Sequence, residues 1–186
     1  MKKSFIIVIL FGMLPLIAFS QSIVKFDAWS PSKWNNSDLI TTEIVTNPVN
    51  DISVTNKKVL KITKNGGDNA KNSHCVLANN KVTLSKNNYV FEMKVLFPIK
   101  ENSVQNTKLG LRMGSGNWLY EVTKEINASD NWQTVQFDFS QNPKFAAVFE
   151  QNRDTTVTQV LFFSRKYTDQ KPNIILYIDD LKSVSK

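Results

Sequence analysis

Apolar and polar residues alternate one by one along much of this chain. In YVFEMKVLF, Tyr89, Phe91, Met93, Val95 and Phe97 fall on one face, with Glu92 and Lys94 on the other. In WQTVQFDFS, Val135, Phe137 and Phe139 alternate with Thr134, Gln136 and Asp138. A period of two marks a strand with one buried face, because successive side chains of an extended chain point to opposite sides. Shorter stretches of the same character cover 23–26, 40–45, 59–63, 74–78, 82–85, 108–113, 118–126, 158–164 and 174–184. Clusters such as NPVND, KNGGDNAKN, SKNN and NASDN lie between them and favour turns. Helical periodicity is scarce, and only NPKFAAVFEQN supports a short helical turn near 145–150. About ten short strands without a repeat or a linker predict an all-β fold, an antiparallel β-sandwich of one domain.

One hairpin can be read in register. KLGLRM-GSGN-WLYEV pairs Met113 with Trp118, Leu111 with Tyr120 and Leu109 with Val122 around a four-residue loop. Directly paired residues share a face, so these six face the core. Lys108, Arg112, Glu121 and Thr123 then face outward, with Leu119 beside Arg112.

The N-terminus changes the picture of compartment. Lys2 and Lys3 precede an apolar run from Ser4 to Ile17, and Ala18-Phe19-Ser20 sets small residues at −3 and −1 of a cleavage site before Gln21. This predicts a signal peptide over 1–20 and a mature domain over 21–186, secreted or periplasmic. The ending AFSQS resembles that of secreted proteins of Bacteroidetes bacteria. The run is short for a full span of about 20 residues. No second apolar run follows, so no membrane association is expected after cleavage. Loss of Lys2 and Lys3 lowers the formal charge from +7 to +5. The remaining lysines are scattered rather than clustered, so no nucleic-acid groove is expected. Cys75 is the single cysteine, and stability must come from the core rather than from disulfides.

Three segments carry a family resemblance. KKVLKITKNG, NWQTVQFDFS and ILYIDDLKSV, in this order, resemble strands of the galactose-binding-like jelly roll found in carbohydrate-binding modules. The resemblance implies a jelly-roll sandwich whose partner is a polysaccharide or oligosaccharide. It also implies a structural calcium ion held by a carboxylate of the closing strand. Asp180 is the first candidate, with Asp27 or Glu43 as partner, since calcium takes six to eight oxygen ligands. Strand alternation puts Asp180 on the face of Ile174, Leu176 and Ile178, and Asp179 on the face of Ile175, Tyr177 and Leu181. Both faces are apolar upstream, as in a strand buried on both sides.

Residues for catalysis are few. His74 and Cys75 are neighbours, and neighbours in a strand face opposite ways, so they do not form a nucleophile–base pair. One histidine and one cysteine are too few for a zinc site. Glu121 and Glu125 share an outward face, the nearest approach to a paired-carboxylate site. Aromatic residues are more informative, because tryptophan and tyrosine stack on the flat C–H faces of sugars. Trp29 and Trp34 lie in DAWSPSKWNNSD, a polar loop without strand pattern, where two tryptophans call for packing or a ligand. Tyr167 sits in another loop, SRKYTDQKP. Trp132 and Trp118 are read as packed residues. Trp29, Trp34, Tyr167 and Arg112 are therefore the candidate carbohydrate contacts. The expected function is non-catalytic glycan binding by stacking and hydrogen bonding. The alternatives are a protein-interaction or structural sandwich, or a polysaccharide lyase or glycosidase.

Overall fold

A computed structural model describes residues 21–24, 40–49, 54, 57–66, 73–78, 82–115, 118–150, 155–157, 159–165 and 173–184. Twelve strands lie within them. They are β1 (Gln21–Val24), β2 (Ile40–Thr46), β3 (Lys58–Lys64), β4 (Ser73–Ala78), β5 (Val82–Leu84), β6 (Val90–Phe97), β7 (Asn106–Ser115), β8 (Trp118–Asn127), β9 (Ser129–Asp138), β10 (Thr155–Val157), β11 (Gln159–Arg165) and β12 (Ile174–Val184). One helix, α1 (Pro143–Glu150), interrupts them.

One sheet runs β2–β3–β12–β6–β9, with β1 added to β12; a four-stranded sheet runs β4–β11–β7–β8; β5 and β10 form a small pair. Every pairing is antiparallel. On one edge β12 pairs with β3 over Ile174–Ile178 and with β1 over Leu181–Ser183. The inner faces meet in one core. Leu60, Ile62, Phe91, Met93, Val95 and Phe137 come from the larger sheet; Leu109, Leu111, Met113, Tyr120, Val122 and Ile126 come from the smaller. This is the sandwich that the alternation predicts, because each sheet has one apolar face and buries it against the other.

The helix starts two residues before the predicted turn, for a local reason. Asn142 caps it, its Oδ1 accepting from the backbone N–H groups of Lys144 and Phe145 at 3.0 and 3.3 Å. Pro143 then opens it, where its missing N–H costs no helical hydrogen bond. Phe145 packs edge-to-face on Tyr120 with ring centroids 5.6 Å apart.

Two expectations are corrected. The β7–β8 register pairs Met113 with Tyr120, Leu111 with Val122 and Ser115 with Trp118. The loop is two residues rather than four, and Glu121, not Leu119, stands beside Arg112. Alternation also fails at the aspartate pair. Asp180 adopts φ 49°, and the β12–β6 register shifts between Asp179 and Lys182. This bulge returns Leu181 to the main core rather than to the face of Tyr177.

Candidate functional site

The outer face of the four-stranded sheet follows from β7. Leu109, Leu111 and Met113 are fully buried in the core, so Lys108, Gly110, Arg112 and Gly114 occupy the opposite face. The register sets these positions in rows. Leu161–Arg112–Glu121 forms one row, Phe163–Gly110–Thr123 lies on one side of it, and Gln159–Gly114–Leu119 lies on the other. His74 and Val76 of β4 are partners of Phe163 and Leu161. Gly110 and Gly114 carry no Cβ, which leaves the backbone open to close approach on either side of Arg112.

Arg112 is held rather than free to swing. Its Nη2 lies 3.0 Å from Glu121 Oε2, and both side chains are about one quarter exposed, 24% and 21%. The Thr123 hydroxyl donates to Glu121 Oε1 at 3.2 Å. Both oxygens of Glu121 are thus engaged on one face, next to a planar fork of donors. Asn142, the helix cap, donates from Nδ2 to the Glu121 carbonyl at 2.7 Å and ties this strand to α1. The trio presents donors, acceptors and a compensated charge. That set suits hydroxyl groups, which both donate and accept. Sequence reading picked out Arg112 but not its association with Glu121 and Thr123. The missing signal was the turn length that sets the register.

The outer face of the larger sheet is organised differently. Val54, Val59, Leu96, Trp132 and Tyr177 form a second apolar cluster there, with Val45, Val49 and Ile175 packed against it. Trp132 is 8% exposed, and its indole N–H donates to Asn47 Oδ1 at 3.3 Å, the packed role expected of it. Asn102 donates to the Ile175 carbonyl at 3.0 Å and accepts from the Ile175 N–H at 2.8 Å, replacing a ladder rung with a side-chain amide. The Tyr177 hydroxyl donates to both carboxylate oxygens of Glu101 at 3.0 and 2.9 Å. Burial first, then that hydrogen bond, then the charges of Glu101 and Glu43 push the Tyr177 pKa far up, so the phenol stays protonated. Further along, the face carries polar pairs. Lys94 bonds Thr134 at 2.8 Å, Gln136 bonds Glu92 at 3.1 Å, and Lys182 lies 3.9 Å from Glu92.

Trp29, Trp34, Tyr167 and Asp27 lie outside the described residues. Glu43 and Asp180 lie within them, each beside a different lysine. Glu43 is exposed and bonded to Lys61 at 3.2 Å, whereas Asp180 lies 3.8 Å from Lys182 Nζ. Glu43 shares the row of Lys61 and Tyr177. It is therefore two strand spacings, about 9.5 Å, from β12, and its row lies three residues short of Asp180. Among the described residues no group of three His, Cys, Asp or Glu side chains is placed to hold a metal. Asp180 and Glu43 are thus held by different lysines and are not brought together as a pair, while Asp27, the other partner expected for a calcium ion, lies outside the described residues. Asp179, not Asp180, is the buried member of the pair, 1% exposed.

No family model and no curated protein matches the sequence. Solved structures match in shape. The family 11 carbohydrate-binding module from Clostridium thermocellum, in complex with a β-1,3-1,4-mixed-linked tetrasaccharide, aligns with a TM-score of 0.54 at 12% identity, over 89% of this chain and 95% of that one. The solution structure of CtCBM11 aligns at 0.55 and 12% identity, over 93% and 99%. The CBM22-1–CBM22-2 tandem domain of Xyn10C from Paenibacillus barcinonensis aligns at 0.51 and 12% identity, over 91% of this chain and 50% of that one. At such identities the likeness is one of architecture, and in architecture this chain is similar to the β-jelly-roll carbohydrate-binding modules.

Proposed function

We infer that this protein is an exported, non-catalytic carbohydrate-binding domain. It holds a polysaccharide or oligosaccharide across the outer face of its four-stranded sheet. The observation that carries this reading is the Arg112–Glu121–Thr123 trio, set between two glycines on a strand face of a fold shared with sugar-binding modules. Arg112 and Glu121 compensate each other, so the trio offers hydrogen bonds to hydroxyls rather than a bare charge to an acidic polymer. In the same reading Trp29, Trp34 and Tyr167 supply stacking surfaces. The larger sheet is the weaker candidate, since packed side chains cover part of its outer face. Affinity is expected to be modest, because a few stacked rings and hydrogen bonds must offset the lost freedom of a flexible ligand.

Affinity electrophoresis through gels containing mixed-linkage glucan, xylan or galactan tests the reading. Retardation by at least one polymer is expected, and Arg112→Ala should weaken it about tenfold or more, the loss of roughly 1.4 kcal/mol. Trp29→Ala and Trp34→Ala test the stacking part separately. Retardation unchanged in all three variants rejects this site. No retardation by any polymer turns the reading towards the protein-interaction alternative. Rising ultraviolet absorbance with a uronic-acid polymer turns it towards a lyase.

A further inference from the structure

We propose that Asn142 is a positioning residue of the candidate sugar site. It fixes Glu121 from beyond the edge of the sheet, and through Glu121 the direction in which Arg112 offers its donors. The inference rests on the glycan-binding reading above and names the part of the molecule that sets the strength of that site.

The backbone of the hairpin supplies the first observation. The Ala128 N–H donates to the Gln105 carbonyl at 2.7 Å, just beyond the β7–β8 ladder. From there the register runs without a shift to Arg112 opposite Glu121, seven pairs on. Bonded and non-bonded pairs alternate along an antiparallel ladder, so Arg112 and Glu121 form a non-bonded pair. In such a pair the Cα atoms lie about 4.5 Å apart rather than about 5.5 Å, which brings the side chains together, as in the 3.0 Å ion pair. The Glu121 carbonyl then turns away from β7, towards the edge of the sheet, where β8 is the last strand among the described residues.

Asn142 occupies that position. Its Nδ2 donates to this carbonyl at 2.7 Å, and the rest of the residue is anchored. Its Oδ1 accepts from the N–H groups of Lys144 and Phe145. Its N–H donates to the Phe139 carbonyl at 2.9 Å, and its carbonyl accepts from the N–H groups of Phe145 and Ala146 at 3.0 and 2.8 Å. Phe139 is fully buried and packs edge-to-face on Phe91 of β6, with ring centroids 5.6 Å apart. Phe145 packs on Tyr120, the neighbour of Glu121. The brace therefore runs from the core side of the larger sheet, through Asn142, to β8 at the residue paired with Arg112. An arginine held in place beforehand loses less rotamer freedom when a ligand arrives.

The test uses the exported chain and variants that keep the helix cap but lack the donor. Asn142→Ser and Asn142→Asp both retain a capping oxygen, and Asn142→Asp sets a carboxylate oxygen against the Glu121 carbonyl. Affinity electrophoresis uses the same mixed-linkage glucan, xylan and galactan gels. Against a polymer that retards the wild type, each variant should bind about fivefold more weakly, the weight of one hydrogen bond. In the Arg112→Ala background the same substitutions should have no further effect, because their route to the ligand is gone. Without polymer, the Nε–Hε resonance of Arg112, identified among the three arginines by its loss in Arg112→Ala, should shift in both variants. Retardation equal to wild type in both variants overturns the proposal. So does an equal loss with and without Arg112, which marks a general structural effect, or an Arg112 resonance that stays in place. If no polymer retards the wild type, the glycan reading fails and the resonance alone decides the positioning: a shift upholds the brace, and no shift overturns it.

Discussion

Tyr177 faces outward from β12, yet its hydroxyl is closed off by Glu101, and this couples one side chain to stability at high pH. Its phenol ordinarily titrates near 10.0, and the folded value is raised well above that, first by burial. Above pH 10 the unfolded chain therefore releases this proton while the native chain keeps it. The stabilising contribution is full below pH 10 and is lost as pH rises towards the folded value. Tyr177→Phe should cost about 1 kcal/mol at neutral pH, for one hydrogen bond. It should also flatten the alkaline fall in stability relative to wild type; urea melts at pH 8 and pH 11 compare the two slopes. Lysines titrate in the same range, so only the difference between the proteins is diagnostic. Asn102 makes a second residue-scale case. Asn102→Ala removes both partners of the Ile175 backbone and should destabilise by about 2 kcal/mol, read as a lower urea midpoint. Neither role was legible in the sequence. Both depend on residues more than 70 positions apart meeting across the sheet.

At the scale of elements, period-two patterning located the strands well but could not set every register. In the β7–β8 hairpin, the actual pairing is displaced by two residues from the predicted one. A shift of two preserves which face each side chain occupies, so hydrophobic alternation cannot detect it. Only the turn decides, and it brought Glu121 rather than Leu119 to Arg112. Within β12 the failure is of another kind. Asp180 takes a left-handed conformation at the bulge, which aspartate tolerates better than most residues do. Asp180→Gly should be neutral or slightly stabilising, whereas Asp180→Val should cost more than about 1 kcal/mol. Thermal melts of the two variants check the order, and equal midpoints would remove the backbone argument. The lysine partners bear on calcium. With Lys182 beside Asp180 and Lys61 on Glu43, a chelator is expected to leave the wild-type melting midpoint unchanged.

At the scale of the whole molecule, the two sheets divide the work. The three segments behind the family resemblance form β3, β9 and β12, all in the larger sheet. That sheet packs on both faces: its inner side fills the main core, and its outer side carries the Trp132–Tyr177 cluster. The motifs thus report architecture, while the candidate site lies on the other sheet, where no motif marks it. A paired experiment separates the two roles. Trp132→Ala should destabilise by about 3 kcal/mol or more yet leave glycan retardation intact at temperatures where it remains folded. Arg112→Ala should do the reverse; loss of retardation in folded Trp132→Ala would move the site to the larger sheet. The linear order of apolar and polar residues determined by itself the class of fold, every described strand except β10, the short helix and most of the residues that fill the inner face of each sheet. These follow from the fixed two-residue period of an extended chain and from the cost of leaving apolar faces in water. Tertiary structure alone decided the second cluster on an outer face, the bulge that turns Leu181 inward, and the meeting of Arg112 with Glu121. Each of these depends on which distant strand or turn lies alongside, and that information is not carried by any local period.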